Sequence, residues 1–71
     1  MSNTRLFVVM FSGEVMGYLG GRTMKGTAAR YAAHAGLDPN DADLKLVDVT
    51  SGIPRDLQVV ADLKGTVRIA K

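Results

Sequence analysis

The hydrophobic run LFVVMF, residues 6–11, constrains the fold more than any other stretch of this sequence. An apolar run of this length, rich in Val and Phe, is typical of a β-strand. Because successive side chains of a strand point to opposite faces of a sheet, both faces of this strand are apolar. The two sets are Leu6, Val8 and Met10 on one face, and Phe7, Val9 and Phe11 on the other. The fold must therefore cover both faces of the strand, or leave one of them to a partner.

The residues that follow the run predict a β-hairpin. Residues 4–11, TRLFVVMF, and residues 14–21, EVMGYLGG, are both rich in strand-forming residues, and only Ser12 and Gly13 separate them. Glycine supplies the positive φ that a two-residue hairpin turn requires. The glycine pair at 20–21 is expected to end the second strand.

A single helix is predicted over residues 23–36, TMKGTAARYAAHAG. Alanine dominates its interior, Thr23 can cap its start through the side-chain hydroxyl, and Gly36 can adopt the left-handed conformation that ends a helix. At about 100° per residue, the inward-facing stripe consists of Met24, Ala28, Tyr31 and Ala35, with Thr27 and Ala32 beside it. This stripe is expected to face the sheet.

Three further strands are predicted after the turn-rich connector LDPNDAD. They are LKLVDVT at 44–50, LQVVADL at 57–63 and TVRIA at 66–70, separated by the loop SGIPRD and the turn KG. The predicted order is thus ββαβββ, an α+β fold in which one helix lies on one face of a mixed sheet. One helix covers one face, so the second apolar face of the first strand is expected to be exposed.

This layout resembles the β-grasp fold of ubiquitin-like proteins, and several residue types fall where that family places equivalent ones. They are Thr23 at the helix start, Met24, Thr27 and Tyr31 at inward positions, Gly36 at the helix end and Pro39 in the following turn. The segment GTVRI, residues 65–69, resembles the closing strand of the family. The chain ends in VRIAK and lacks the tail with two glycines, so the resemblance does not imply conjugation or sulfur transfer. It implies docking of a partner on an exposed sheet face.

Composition indicates one domain over residues 1–71 without catalytic or metal-binding chemistry. The chain has 71 residues, no cysteine, and one histidine, His34. Disulfides, cysteine nucleophiles and histidine-based metal clusters are therefore excluded. No apolar stretch is long enough to cross a bilayer, and the start of the chain lacks the pattern of a secretion signal. We expect a cytoplasmic protein that is not an enzyme and needs neither a cofactor nor a metal.

The stretch GYLGGRTMKGT, residues 17–27, has features of a phosphate-binding loop, because glycines lead into a helix start that carries Arg22 and Lys25. The residue order argues against such a loop. A P-loop needs Gly-Lys followed by Ser or Thr, whereas the order here is Lys-Gly-Thr. The stretch is therefore interpreted as a connection between strand and helix. Its two cations and Arg30 form a basic helix face that suits nucleic-acid phosphates or an acidic protein surface.

Together these features favour a non-catalytic protein-binding module. An exposed apolar sheet face would dock on a protein partner or on a second copy of the chain, giving a homodimer. The predicted partner-binding residues are Phe7, Val9 and Phe11 on the sheet and Arg22, Lys25 and Arg30 near the helix. A nucleic-acid-binding protein that uses the basic helix face is the alternative. In size, basic helix and hairpin-first order, the chain also resembles small phage-encoded proteins that act as inhibitors, which implies an inhibitor or adaptor role.

Overall fold

A three-stranded antiparallel sheet with a helix on each face is the architecture of the chain, as described for residues 4–69 in a computed structural model. The order of the strands across the sheet is β2-β1-β3. The elements are β1 (Arg5–Phe11), β2 (Glu14–Gly21), α1 (Met24–Ala35), β3 (Leu44–Asp48) and α2 (Arg55–Lys64). The predicted α+β class is confirmed. The predicted order ββαβββ is replaced by ββαβα, and the predicted mixed sheet with one helix is an antiparallel sheet with two helices.

The predicted hairpin is confirmed. Ser12 and Gly13 both have positive φ, at 51° and 80°, which is the conformation of the tight turns that match the twist of a hairpin. The pairing of β1 with β2 shifts by one residue after Val9, opposite Gly17. A Cβ on Gly17 would lie 2.5 Å from the carbonyl oxygen of Gly65, so this glycine permits a close approach of the C-terminal segment to β2.

Both predicted ends of α1 are confirmed. The hydroxyl oxygen of Thr23 accepts a hydrogen bond from the backbone N–H of Gly26 at 2.9 Å. Gly36 ends the helix in the left-handed conformation, with a φ of 72°. The inward stripe is rotated from its predicted position: the buried residues are Thr27, Tyr31 and Ala32, while Met24 and Ala35 are exposed.

The prediction of a strand at LQVVADL is wrong, because this segment lies within α2. The helix begins after Pro54, whose carbonyl accepts from the N–H of Gln58 at 2.9 Å. Leu57 and Ala61, four residues apart, pack against the side of the sheet that α1 leaves open. Leu63 points away from the sheet and is 83% exposed.

The predicted last strand, TVRIA, is also wrong as a strand, and its residue 70 lies outside the described residues. Thr66 forms an isolated parallel bridge with Tyr18 of β2. Two backbone hydrogen bonds hold this segment there: the N–H of Tyr18 donates to Gly65 at 2.9 Å, and the N–H of Val67 donates to Tyr18 at 2.8 Å. The segment lines the outer edge of β2 without forming a ladder.

The core consists of two apolar clusters, one on each side of the sheet. On the α2 side, Val8 packs with Val15, Val49 and Ala61. On the α1 side, the cluster is centred on Val9, Leu19 and Tyr31, with Leu37, Leu44, Leu46, Val67 and Ile69 packed against it. Both faces of β1 are thus covered by the chain itself.

Candidate functional site

The apolar residues predicted to form an exposed docking face lie inside the molecule or at its margin. Phe7 is 1% exposed, Val9 is fully buried, and Phe11 is partly buried. The expectation of an exposed sheet face is therefore wrong. The physical reason is α2: the sequence prediction counted one helix, and the second one covers the face that would otherwise meet solvent.

The three predicted basic residues are exposed. Arg30 donates a hydrogen bond to the carbonyl oxygen of Gly20 at 2.9 Å, so its guanidinium lies over the end of β2. Lys25 lies beside β3, which is separated from β2 by the central strand β1. Arg22 lies in the connection between β2 and α1. Lys25 borders a concave surface between α1 and β3.

The glycines before α1 have a packing role. A Cβ on Gly21 would overlap the hydroxyl of Thr27, which is fully buried against it. Among residues 4–69, the Thr27 hydroxyl has no hydrogen-bond partner. The N–H of Gly26 is used by the cap at Thr23. This stretch therefore serves the close packing of α1 on β2.

The two edges of the sheet differ in how they are covered. The outer edge of β2 is bonded to residues 65–67 of the same chain. The outer edge of β3 has no such segment within residues 4–69. An uncovered edge strand presents unpaired N–H and C=O groups, which pair readily with another extended chain.

The hydrogen-bonding phase of β3 identifies the groups that point outward. The N–H of Val49 donates to Leu6 of β1, and the N–H of Ser12 donates to Asp43. Hydrogen-bonded and non-hydrogen-bonded pairs alternate along an antiparallel ladder. Val47 and Lys45 therefore turn their backbone N–H and C=O groups toward β1. The N–H and C=O of Leu46 consequently point away from the sheet. No described residue bonds to them.

A groove of about 560 Å³ runs along this edge, between α1 and β3. Its lining consists of Met24, Lys25 and Ala28 from α1 and Leu44, Lys45, Leu46 and Val47 from β3. Four consecutive residues of one strand can line the same groove only if the groove follows the strand's edge, since their side chains alternate between the two faces. The open backbone edge and the apolar groove are therefore one continuous surface.

Charge at this surface is positive. Lys25 and Lys45 are the charged residues of the lining. The nearest acid along the strand, Asp48, is paired with Arg5 at 2.8 Å. Hydrogen bonds from Thr50, together with the Arg5 guanidinium, hold the pKa of the Asp48 carboxyl below its usual value. The carboxylate is thus compensated by its neighbours, and the two lysines are the charged side chains that border the groove itself.

Sequence reasoning included Lys25 but missed the β3 side of the surface. The strand itself was predicted at 44–50, yet nothing in LKLVD tells whether it lies at the centre or the edge of a sheet. The one available signal is Lys45, because lysine is common on exposed edge strands.

Comparison with protein-family models, curated proteins and solved structures finds no match to this chain. Within residues 4–69, neither helix has the length and apolar character that a bilayer span requires.

Proposed function

We propose that this protein is a non-catalytic protein-binding module that takes an extended segment of its partner as an added strand along β3. The observation that carries the proposal is the outer edge of β3, which no residue of the described range 4–69 pairs with, beside an apolar groove. Strand addition to a sheet edge is a recurring mode of peptide recognition, in which backbone hydrogen bonds provide affinity and pockets for alternate side chains provide specificity.

Two kinds of contact are available to such a segment. The outward N–H and C=O of Leu46 can each pair with the backbone of an added strand. On the α1 side, side chains of that strand would meet Met24, Ala28 and the two leucines of β3. Burial of apolar side chains there would stabilise the complex.

The uneven treatment of the two edges supports this choice. Exposed sheet edges promote aggregation, and natural proteins usually cover or interrupt them. This chain covers the edge of β2 with residues 65–67. An edge left open next to a groove is best explained by a partner that pairs with it.

Docking through this edge replaces the expected docking through a sheet face. The resemblance to β-grasp proteins remains a prediction, and it agrees with the proposal insofar as those proteins bind partners through their sheet. An inhibitor or adaptor role is compatible with strand addition, because a domain without catalytic groups acts by occupying a surface of its partner.

The test is selection of linear heptapeptides from a random display library against the full chain, followed by amide-resolved NMR. Selected peptides should shift the amides of residues 44–48 and of the first turns of α1. Only every second N–H of an added strand faces β3. Methylating the backbone nitrogens of either the odd-numbered or the even-numbered peptide residues should therefore abolish binding for one of these two sets and not for the other.

A matched pair of protein variants tests the groove. Ala28 lines it and is partly buried, whereas the neighbouring Ala29 is exposed outside it. Ala28→Met should fill the groove and weaken binding, and Ala29→Met should leave affinity unchanged. NMR shifts confined to α2 would contradict strand addition. So would equal effects of methylating the odd-numbered and the even-numbered peptide residues. Salt-sensitive binding of DNA or RNA that shifts Arg22 and Arg30, without peptide binding, would support the nucleic-acid alternative instead.

A further inference from the structure

We infer that the partner segment alternates apolar and acidic residues, with its apolar side chains facing α1 and its acidic side chains facing the side of the sheet on which Lys45 lies. This inference rests on the proposed strand addition and specifies the chemistry of the partner. It follows from three features: the alternation of side chains in an added strand, the different character of the two sides at β3, and the charge of the groove.

An added strand must present its side chains to both sides of the sheet in turn. On the α1 side it meets an apolar wall, because Leu44 and Leu46 pack on that side together with α1. On the opposite side it meets Lys45, which pairs with Met10 of β1 and shares its face. A segment that matches both sides therefore alternates in character with the period of a strand.

The charge of the second set of side chains follows from the lysines. Within residues 4–69, neither Lys25 nor Lys45 forms an ion pair. Asp43 lies two residues before Lys45, and both line a second, polar concavity at the hairpin turn. Asp48 is engaged by Arg5. An incoming carboxylate beside Lys45 thus gains attraction without displacing an existing ion pair, whereas an incoming cation is repelled.

The same charge disfavours a second copy of this chain as the occupant. Pairing of two β3 edges about a two-fold axis brings two identical lysine-bearing strands together on one face of the joined sheet. Like charges on neighbouring strands are destabilising, and lysine is a common device against such self-pairing. An acidic segment of a different protein is the occupant that the charges favour.

The experiment compares three synthetic heptapeptides, each labelled with a fluorophore, by anisotropy titration against the full chain. The first alternates valine and glutamate, the second has the same composition in two blocks, and the third alternates valine and lysine. The alternating glutamate peptide should bind about tenfold more tightly than the block peptide, because the block places charges against the apolar wall. It should bind more tightly than the lysine peptide, with a difference that shrinks as salt is added.

Charge reversal on the protein provides the control. Lys45→Glu should weaken binding of the glutamate peptide and strengthen binding of the lysine peptide, by up to about fivefold each, since an exposed ion pair contributes up to roughly 1 kcal/mol. Lys64→Glu on α2, remote from the groove, should change neither affinity. Equal affinity of all three peptides, with NMR shifts still at β3, would overturn the inference and leave strand addition standing. Absence of shifts at β3 for every peptide would remove both.

Discussion

A pair of substitutions in α2 distinguishes the observed helix from the strand that the sequence suggests. In a strand over 57–63, Leu57, Val59, Ala61 and Leu63 would all share one face. In the helix, Ala61 is fully buried against the sheet and Leu63 is 83% exposed. The two structures therefore make opposite predictions for Leu63. We compare Ala61→Leu with Leu63→Glu.

The magnitude follows from the packing at each position. Ala61 is fully buried in one cluster with Val8, Val15 and Val49, so additional methylene groups at this position would crowd that cluster. Overpacking of this kind destabilises by about 1–3 kcal/mol. Leucine and alanine have similar helix propensities, so the loss reports on packing and not on the helix itself. Leu63→Glu changes an exposed side chain and should alter stability by no more than about 0.5 kcal/mol.

These differences are large for a domain of this size. A chain of 71 residues is expected to have a free energy of unfolding of roughly 4–10 kcal/mol. Each kcal/mol lowers Tm by about 4–8 °C in domains of this length. Thermal and urea unfolding followed by circular dichroism will measure both variants. If Leu63→Glu destabilises the protein as strongly as Ala61→Leu, segment 55–64 is not a helix, and the sheet face beneath it is not covered as described.

Two further predictions concern Thr27 of α1 and Asp48 of β3. Thr27→Val should raise the free energy of unfolding by about 1 kcal/mol, because it removes a buried hydroxyl that has no hydrogen-bond partner among the described residues. Urea unfolding measures this change. A loss of stability would show that the hydroxyl does have a hydrogen-bond partner. The pKa of Asp48 is lowered in the folded state, so the ionised carboxylate stabilises the fold. This contribution is fully present above the unfolded pKa of about 3.9, and it is lost as the pH falls through the folded pKa. In Asp48→Asn, the free energy of unfolding should therefore fall less steeply as the pH is lowered. Urea unfolding at a series of acidic pH values measures this dependence. The same dependence in the variant and the original chain would contradict the role of Thr50 and Arg5.

The hairpin and α1 were predictable because their signals are local. A Ser-Gly pair between two β-rich runs favours a tight turn whatever surrounds it, and Ser12 and Gly13 have the backbone angles of such a turn. Thr23 and Gly36 act on the ends of α1 through hydrogen bonds within a few residues. Signals of this kind do not depend on tertiary contacts.

Helix α2 was missed because its sequence fits both periodicities. The adjacent Val59 and Val60 favour a strand by propensity, and the apolar residues at 57, 59, 61 and 63 alternate. The helical pairing of Leu57 with Ala61 is equally present, but one small residue gives a weak apolar signal. Packing against the sheet favours the helix over the strand, because the helix places Ala61 in the cluster with Val8 and Val15. That information is tertiary and is absent from a ten-residue window.

The location of the candidate site shows what an apolar pattern can and cannot indicate. The run at 6–11 indicates a strand with two apolar faces, but the pattern does not tell whether the cover of the second face belongs to the same chain or to another. Here the chain supplies both covers. The apolar residues of β1 are therefore satisfied by folding and leave no reason for docking on the sheet face. Backbone groups at an edge are different, since β3 bonds to β1 on one side only and residues 4–69 supply nothing for its other side. An edge that no described residue pairs with, bordered by an apolar groove and by two lysines without an ion pair in residues 4–69, is thus a stronger indication of a partner than any apolar run in the sequence.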